Sequence, residues 1–269
     1  PNGNALTRVV ENGSFVNNSE IAPTIGITRE ALLTDRAKRR KYGLPPDLRP
    51  PTLEDESGRN RSVFSPDSDW VDADITVTTD ADQIPIAPGY TVSDKTVGGR
   101  RTAHFKPDAP VINFFSIQSA RYAVQRDKWK DVDLAVYYHP DHGANVKRMF
   151  EAMKLSFDLF TTAFSPYQFK QARILEFLAY ATFAQSFANT IPYSEDIGFI
   201  LNHRDPEKID MVTYVTAHGI GHQWWGHQVI SADQQGGTFL VESLAQYSAL
   251  MVMEQMYGPD QIRKFLKFE

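Results

Sequence analysis

Cysteine is absent from the 269 residues. The chain therefore has no disulfide and no thiolate metal site, and any metal falls to His, Asp or Glu. No run of eighteen apolar residues occurs, so no segment of this stretch spans a bilayer as a helix. An excess of positive charge is missing too. Lys and Arg number 28 against 33 Asp and Glu, a net charge of −5 with a pI near 5.8. That excludes the basic face a nucleic-acid binder needs. An initiator methionine is also lacking: the chain begins at Pro1 and stops at Glu269 inside a helical pattern, and it reads as a fragment of a longer protein.

What remains is an ordinary soluble composition, long enough for two compact domains. Residues 1–27 alternate weakly, as strands and turns do. A charged helix is expected from Thr28, as cap, to Tyr42, ended by Gly43 and Pro45-Pro46. Its Lys38-Arg39-Arg40-Lys41 cluster reads as a solvated helix end. A Pro-rich loop follows to Pro66. Val71, Ala73, Ile75 and Val77 alternate with polar residues and predict a half-buried strand. Gly98-Gly99 between residues 92–96 and 101–106 predicts a hairpin. The runs Val111–Ile117 and Val132–Tyr138 complete an antiparallel β domain over residues 1–140, with Pro140 as boundary.

Beyond it the period changes. Val146, Met149, Phe150, Met153, Phe157, Phe160 and Phe164 mark one long amphipathic helix. Ile174–Phe177 and Ile197–Leu201 are short strand candidates. Asp205-Pro206 supplies a cap and first-turn proline for the helix that carries His218 and His222. Phe239–Tyr257 forms the next, closed by Gly258-Pro259. The fold class is α+β, with residues 141–269 mainly helical.

His218 and His222 stand four apart, so on a helix both imidazoles project from one face. Zinc needs a third protein ligand and an open fourth position, and Glu242 lies in the following helical pattern. The run His218 to Val229 resembles the active-site helix of the aminopeptidase-N-like zinc metallopeptidases, H-E-x-x-H-x-W-x-G-N-x-V, with Trp224 or Trp225, Gly226 and Val229 continuing it. Val241-Glu242-Ser243-Leu244-Ala245-Gln246-Tyr247 is similar to that family's N-E-G-F-A-x-Y. Glu195-Asp196-Ile197-Gly198-Phe199-Ile200 resembles its E-N-W-G-L-I, although Pro192-Tyr193-Ser194 replaces the preceding Gly-x-Met. The likeness covers roughly residues 70–269, and among relatives it looks most like the peptidase-like domain fused to bacterial ABC-type permeases.

The resemblance implies a thermolysin-like catalytic domain over residues 141–269, truncated before the family's transition-state tyrosine. Zn²⁺ is expected on His218, His222 and Glu242. Glu195 and Asp196 are expected at the substrate, Glu195 pairing with the free α-amino group of a peptide. Residues 223–241 make nineteen positions before the ligand glutamate, one more than usual, and a connecting loop absorbs the extra one. The decisive departure is Gly219, which stands where the family carries its general base. The expected function is an aminopeptidase impaired by that loss. The alternative is a catalytically dead, peptide- or metal-binding domain outside the cytoplasm, tethered to a membrane transporter. Trp224, Trp225, Met251, Met253 and Met256 read as packing. His227 reads as a residue behind the metal ligands or on the surface, and His104, His139, His142 and His203 as ordinary ones.

Overall fold

The computed structural model describes residues 9–10, 13–23, 26–27, 31–64, 68–202, 205 and 208–268. Two short strands, β1 (Val9–Val10) and β2 (Gly13–Asn17), lead into a one-turn helix α1 (Asn18–Ile21). The charged helix is shorter than expected: α2 spans Arg36–Lys41 only. Thr28 lies outside the described residues, and Asp35 is the cap, accepting from the Lys38 amide at 2.6 Å. The basic cluster is not wholly solvated. Arg39 is buried and donates to the carbonyls of Pro45 and Leu33, tying the loops on both sides of the helix together.

Strands β3 (Trp70–Val71), β4 (Ile75–Asp80), β5 (Ile84–Ile86), β6 (Tyr90–Val97), β7 (Arg100–Lys106), β8 (Val111–Ile112) and β9 (Ser116–Ala120) follow. They form antiparallel sheets ordered β1-β2-β9-β5, β4-β7-β6 and β3-β8. The predicted hairpin is present, with Gly98 and Gly99 at φ of +59° and +77°, the sign both turn positions need to match the strand twist. The run Val111–Ile117 is two strands rather than one. Between them Asn113 gives its carbonyl and side-chain oxygen to the Asn18 amide group, and Phe114 turns inward to stack on Phe64.

The second region is built on β10 (Ala123–Trp129), β11 (Val132–Tyr138), β12 (Gln171–Phe177) and β13 (Thr190–Ser194), paired in that order. β10 and β11 are antiparallel, whereas β11, β12 and β13 run parallel. Pro140 is therefore not a boundary between packed units, because the sheet takes strands from both sides of it. A parallel neighbour for β11 requires a crossover, supplied by α3 (Val146–Ala163). Its apolar stripe Met149, Met153, Phe157 and Phe160 is fully buried and shares a core with Leu134, Val136, Ile174 and Ile191. Ile197–Leu201 is not a strand: Glu195–Gly198 forms a single helical turn, α4, and Asn145 donates to the carbonyls of Gly198 and Leu201, folding that stretch back onto the start of α3.

Helices α5 (Met211–Gly221), α6 (Leu244–Tyr257) and α7 (Pro259–Phe268) complete the described chain. α5 packs between α3 and α6, and no helix among the described residues is long and apolar enough to cross a membrane. Its cap is Asp210, not Asp205, and Pro206 lies outside the described residues. Asp210 accepts from the Thr213 amide at 3.1 Å and hydroxyl at 2.6 Å, and it also holds Arg148 of α3 and Tyr257 of α6. Burial acts to raise its pKa, but the hydrogen bonds from Thr213 and Tyr257 and the Arg148 guanidinium outweigh burial and lower it. One carboxylate thus pins three helices. Asp210→Ala loses a cap and strands the Arg148 charge, so a stability loss of about 3 kcal/mol is expected in urea unfolding. Asp210→Asn keeps the cap and should lose less.

Candidate metal centre

α5 ends where the site begins. His218 lies in its last turn, and His222 follows it as the C-terminal cap with helical dihedrals. Nδ1 of His222 is 3.0 Å from the carbonyl oxygen of Trp225. A carbonyl only accepts, so Nδ1 carries the proton and Nε2 is left with a free lone pair, the usual way a ligand imidazole is oriented. That Nε2 is 2.9 Å from Nε2 of His218. Oε2 of Glu242 stands 3.6 Å from His218 and 3.5 Å from His222. The three predicted ligands therefore converge. Both imidazoles are largely buried and the carboxylate is half exposed, which leaves one side of the cluster open.

The fit to zinc is close. Two nitrogens bound tetrahedrally at zinc's usual distance stand roughly 3.3 Å apart, a few tenths of an ångström wider than here. Burial first, and the neighbouring His222 second, push His218 down to about 4. It is thus neutral at pH 7, the form that ligates.

Close packing of α5 on α6 sets this spacing. A Cβ on Gly221 would lie 3.3 Å from both Cα and O of Ala245 and 3.4 Å from Cβ of Ser248. Trp225 donates to the Ser248 hydroxyl at 2.9 Å. Trp224 is buried against Phe160 and Tyr167 and donates to Ser165, the packing role expected of it. Glu242 sits in a π-helical turn, Phe239–Ser243, just ahead of α6.

Gly219 is buried on the side of α5 that meets the sheet. A Cβ there would come within 3.2 Å of Cγ2 and 3.3 Å of Cδ1 of Ile191 in β13. Its carbonyl accepts from Ser186 at 2.8 Å. Residues 183–187 run antiparallel along the outer edge of β13: Gln185 donates to the Pro192 carbonyl and Ser194 to that of Phe183, each at 3.0 Å. Gln223 locks this segment in place, donating to Ser186 and Phe187 and accepting from the Asn189 amide. The segment gave no strand signal in the sequence.

His227 is not a surface residue, and it belongs to neither His/Glu cluster found among the described residues. It is buried, and its Nε2 donates to the Ser186 carbonyl at 3.1 Å. Burial pushes it down to about 4. The unfolded imidazole protonates near pH 6.5, whereas the folded one waits until about pH 4. Stability therefore declines as pH falls through that window, by on the order of 3 kcal/mol for this residue. Urea midpoints of the metal-free chain measured between pH 7 and 4 should show the decline, with a smaller slope in His227→Gln.

Glu195 and Asp196 are not brought to the metal ligands as one group. Asp196 spends both oxygens locally, on the hydroxyls of Ser194 and Thr182, each at 2.6 Å. Burial opposes this, yet those hydrogen bonds leave its carboxyl below the ordinary value. Glu195 instead joins His142 and Glu176 in a second His/Glu cluster. Burial raises the carboxyl of Glu176 despite the hydrogen bonds from His142 and His139. The sequence carried one hint of this cluster, a lone charge inside the apolar strand Ile174–Phe177. His203 lies outside the described residues. The chain matches no family model and no curated protein.

Proposed function

We propose that this chain is a zinc-binding domain of thermolysin-like, aminopeptidase-related type that holds its metal and a peptide ligand but hydrolyses peptides very slowly or not at all. The observation that carries the reading is the pairing of a convergent His218–His222–Glu242 triad with a glycine at position 219, whose side-chain direction is filled by Ile191. Bound zinc would polarise a carbonyl and acidify a coordinated water. The chain's own residues supply the rest unevenly. His218, His222 and Glu242 hold the ion, and the Trp225 carbonyl orients one imidazole. No carboxylate at position 219 accepts the proton that hydrolysis must move to the leaving amine.

Two features bear on how a peptide ligand would be held. The outer edge of β13 is already hydrogen-bonded to residues 183–187, so an extended peptide cannot add itself there as a strand. Phe239, Leu240 and Tyr247, around Glu242 in sequence, expose most or about half of their surface and are the apolar side chains a peptide ligand would meet under this reading. In keeping with the permease-linked relatives that the motifs resemble, the proposal places the domain outside the cytoplasm, tethered to transmembrane segments of a transporter. The test pairs metal analysis with hydrolysis of aminoacyl amides and with peptide binding by fluorescence anisotropy. Loss of the zinc ion held by the triad on His222→Ala, saturable peptide binding and no turnover are expected. Turnover by the unaltered chain that a chelator abolishes and zinc restores would overturn the reading.

A further inference from the structure

The second His/Glu cluster is constructed from the same part of the sheet on three strands. β11, β12 and β13 are parallel neighbours. His142 follows the end of β11, Glu176 is the penultimate residue of β12, and Glu195 comes directly after β13. The carboxyl ends of adjacent parallel strands are where α/β sheets gather ligand groups. Here the chain delivers one imidazole and two carboxylates there, with all ligand atoms within 4.8 Å of one another.

Each carboxylate is divided between two tasks. Oε2 of Glu176 accepts from the His139 amide at 2.6 Å, which leaves Oε1 against Nδ1 of His142. Oε1 of Glu195 accepts from the Ala179 amide at 2.9 Å, which leaves Oε2 at 3.9 Å from the same Nδ1. Backbone amides thus fix one oxygen of each group and aim the other at a shared point, as outer-shell partners do for metal-binding carboxylates. The Glu176 side chain is 5% exposed. His142 Nδ1 is the shared partner of both carboxylates. Two carboxylates thus share one imidazole in a largely buried position, and buried charges are paired or coordinate metals. A small, mainly aromatic-lined cavity formed by Phe15, Tyr122, His139, Phe177 and Tyr180 opens beside Glu176.

We propose that His142, Glu176 and Glu195 form a second metal site, independent of the His218–His222–Glu242 triad, for a divalent first-row transition ion such as Zn²⁺ or Mn²⁺. One imidazole with two carboxylates suits these ions. The site does not rest on the peptidase reading, and it assigns Glu195 to a metal rather than to a peptide's amino group.

The experiment is metal content after equilibrium dialysis of the purified chain against Zn²⁺ alone, repeated with Mn²⁺, with thermal melts to verify folding. Two zinc ions per chain are expected, one in Glu195→Gln, one in His222→Ala and none in the double variant. Zinc affinity at the second site should fall at least about 100-fold in Glu195→Gln, and His142→Gln should reproduce that loss if Glu195→Gln unfolds. A single ion, lost in His222→Ala and indifferent to Glu195→Gln and His142→Gln, would sink the second site and leave the triad standing. A single ion with the opposite dependence would sink the triad instead, and no ion in any variant would remove both.

Discussion

Gly219→Glu combined with Ile191→Ala is expected to hydrolyse aminoacyl amides roughly 10²- to 10⁴-fold faster than the unaltered chain, the usual worth of a positioned general base. The second change is needed because position 219 has no room. A Cβ alone would press on two carbons of Ile191 at 3.2 and 3.3 Å, and a longer side chain must also pass this fully packed residue. Overpacking of that kind costs about 1–3 kcal/mol. Ile191→Ala removes the obstructing carbons, and the glutamate occupies part of the volume vacated. Gly219→Glu alone should therefore gain less activity and lose more stability than the pair. Gly219→Ala separates base chemistry from helix propensity: it brings a Cβ worth roughly 1 kcal/mol to a helix and no proton acceptor, so it should stay inactive. If the pair and Gly219→Ala turn over substrate equally slowly while zinc is bound, the missing base is not what limits this site.

The same residues show what could be read from the chain and what could not. The two histidines obey a local rule, four positions on one helical face, and Glu242 lies on the next apolar pattern, so the α+β class and the convergence of these three side chains are legible. So are α3, with its 3.6-residue period, and the hairpin at Gly98-Gly99. Pairing across distance is not. Nothing in Val132–Tyr138 announces that its parallel partner is Gln171–Phe177, thirty-odd residues on, and the expected boundary at Pro140 failed for that reason. The cap of α5 was misplaced because Asp205-Pro206 satisfies the local rule as well as Asp210 does, and only Arg148 and Tyr257 decide between them. His142 gave no signal, since its partners are Glu176 and Glu195 and the imidazole lies in a connection with no periodicity. Spacing alone gives the extra residue before Glu242 to a loop. The π-helical turn Phe239–Ser243 offers it another place, because an i→i+5 turn takes up one residue more than an α turn.

His222→Ala is expected to weaken zinc binding by more than about 100-fold, beyond the 10- to 100-fold that an outer-shell partner costs. His222 contributes the lone pair that the Trp225 carbonyl holds in position, and its removal leaves one imidazole and a half-exposed carboxylate. A two-ligand site cannot close around zinc without filling the gap from water. Gly221→Val supplies the informative comparison, for it touches no ligand atom. Its side chain would enter the 3.3 Å approach between α5 and Ala245, and the cheapest relief is to move α6 outward with Glu242 leading it. Zinc affinity should then fall by roughly 10- to 100-fold, with a stability loss of about 1–3 kcal/mol. Calorimetric zinc titration of both variants, beside urea unfolding, reads the two effects separately. A Gly221→Val chain that is destabilised yet binds zinc at full strength would mean that the distance between α5 and α6 does not set the site. The triad would then owe its geometry to the His222–Trp225 contact and the π-helical turn alone.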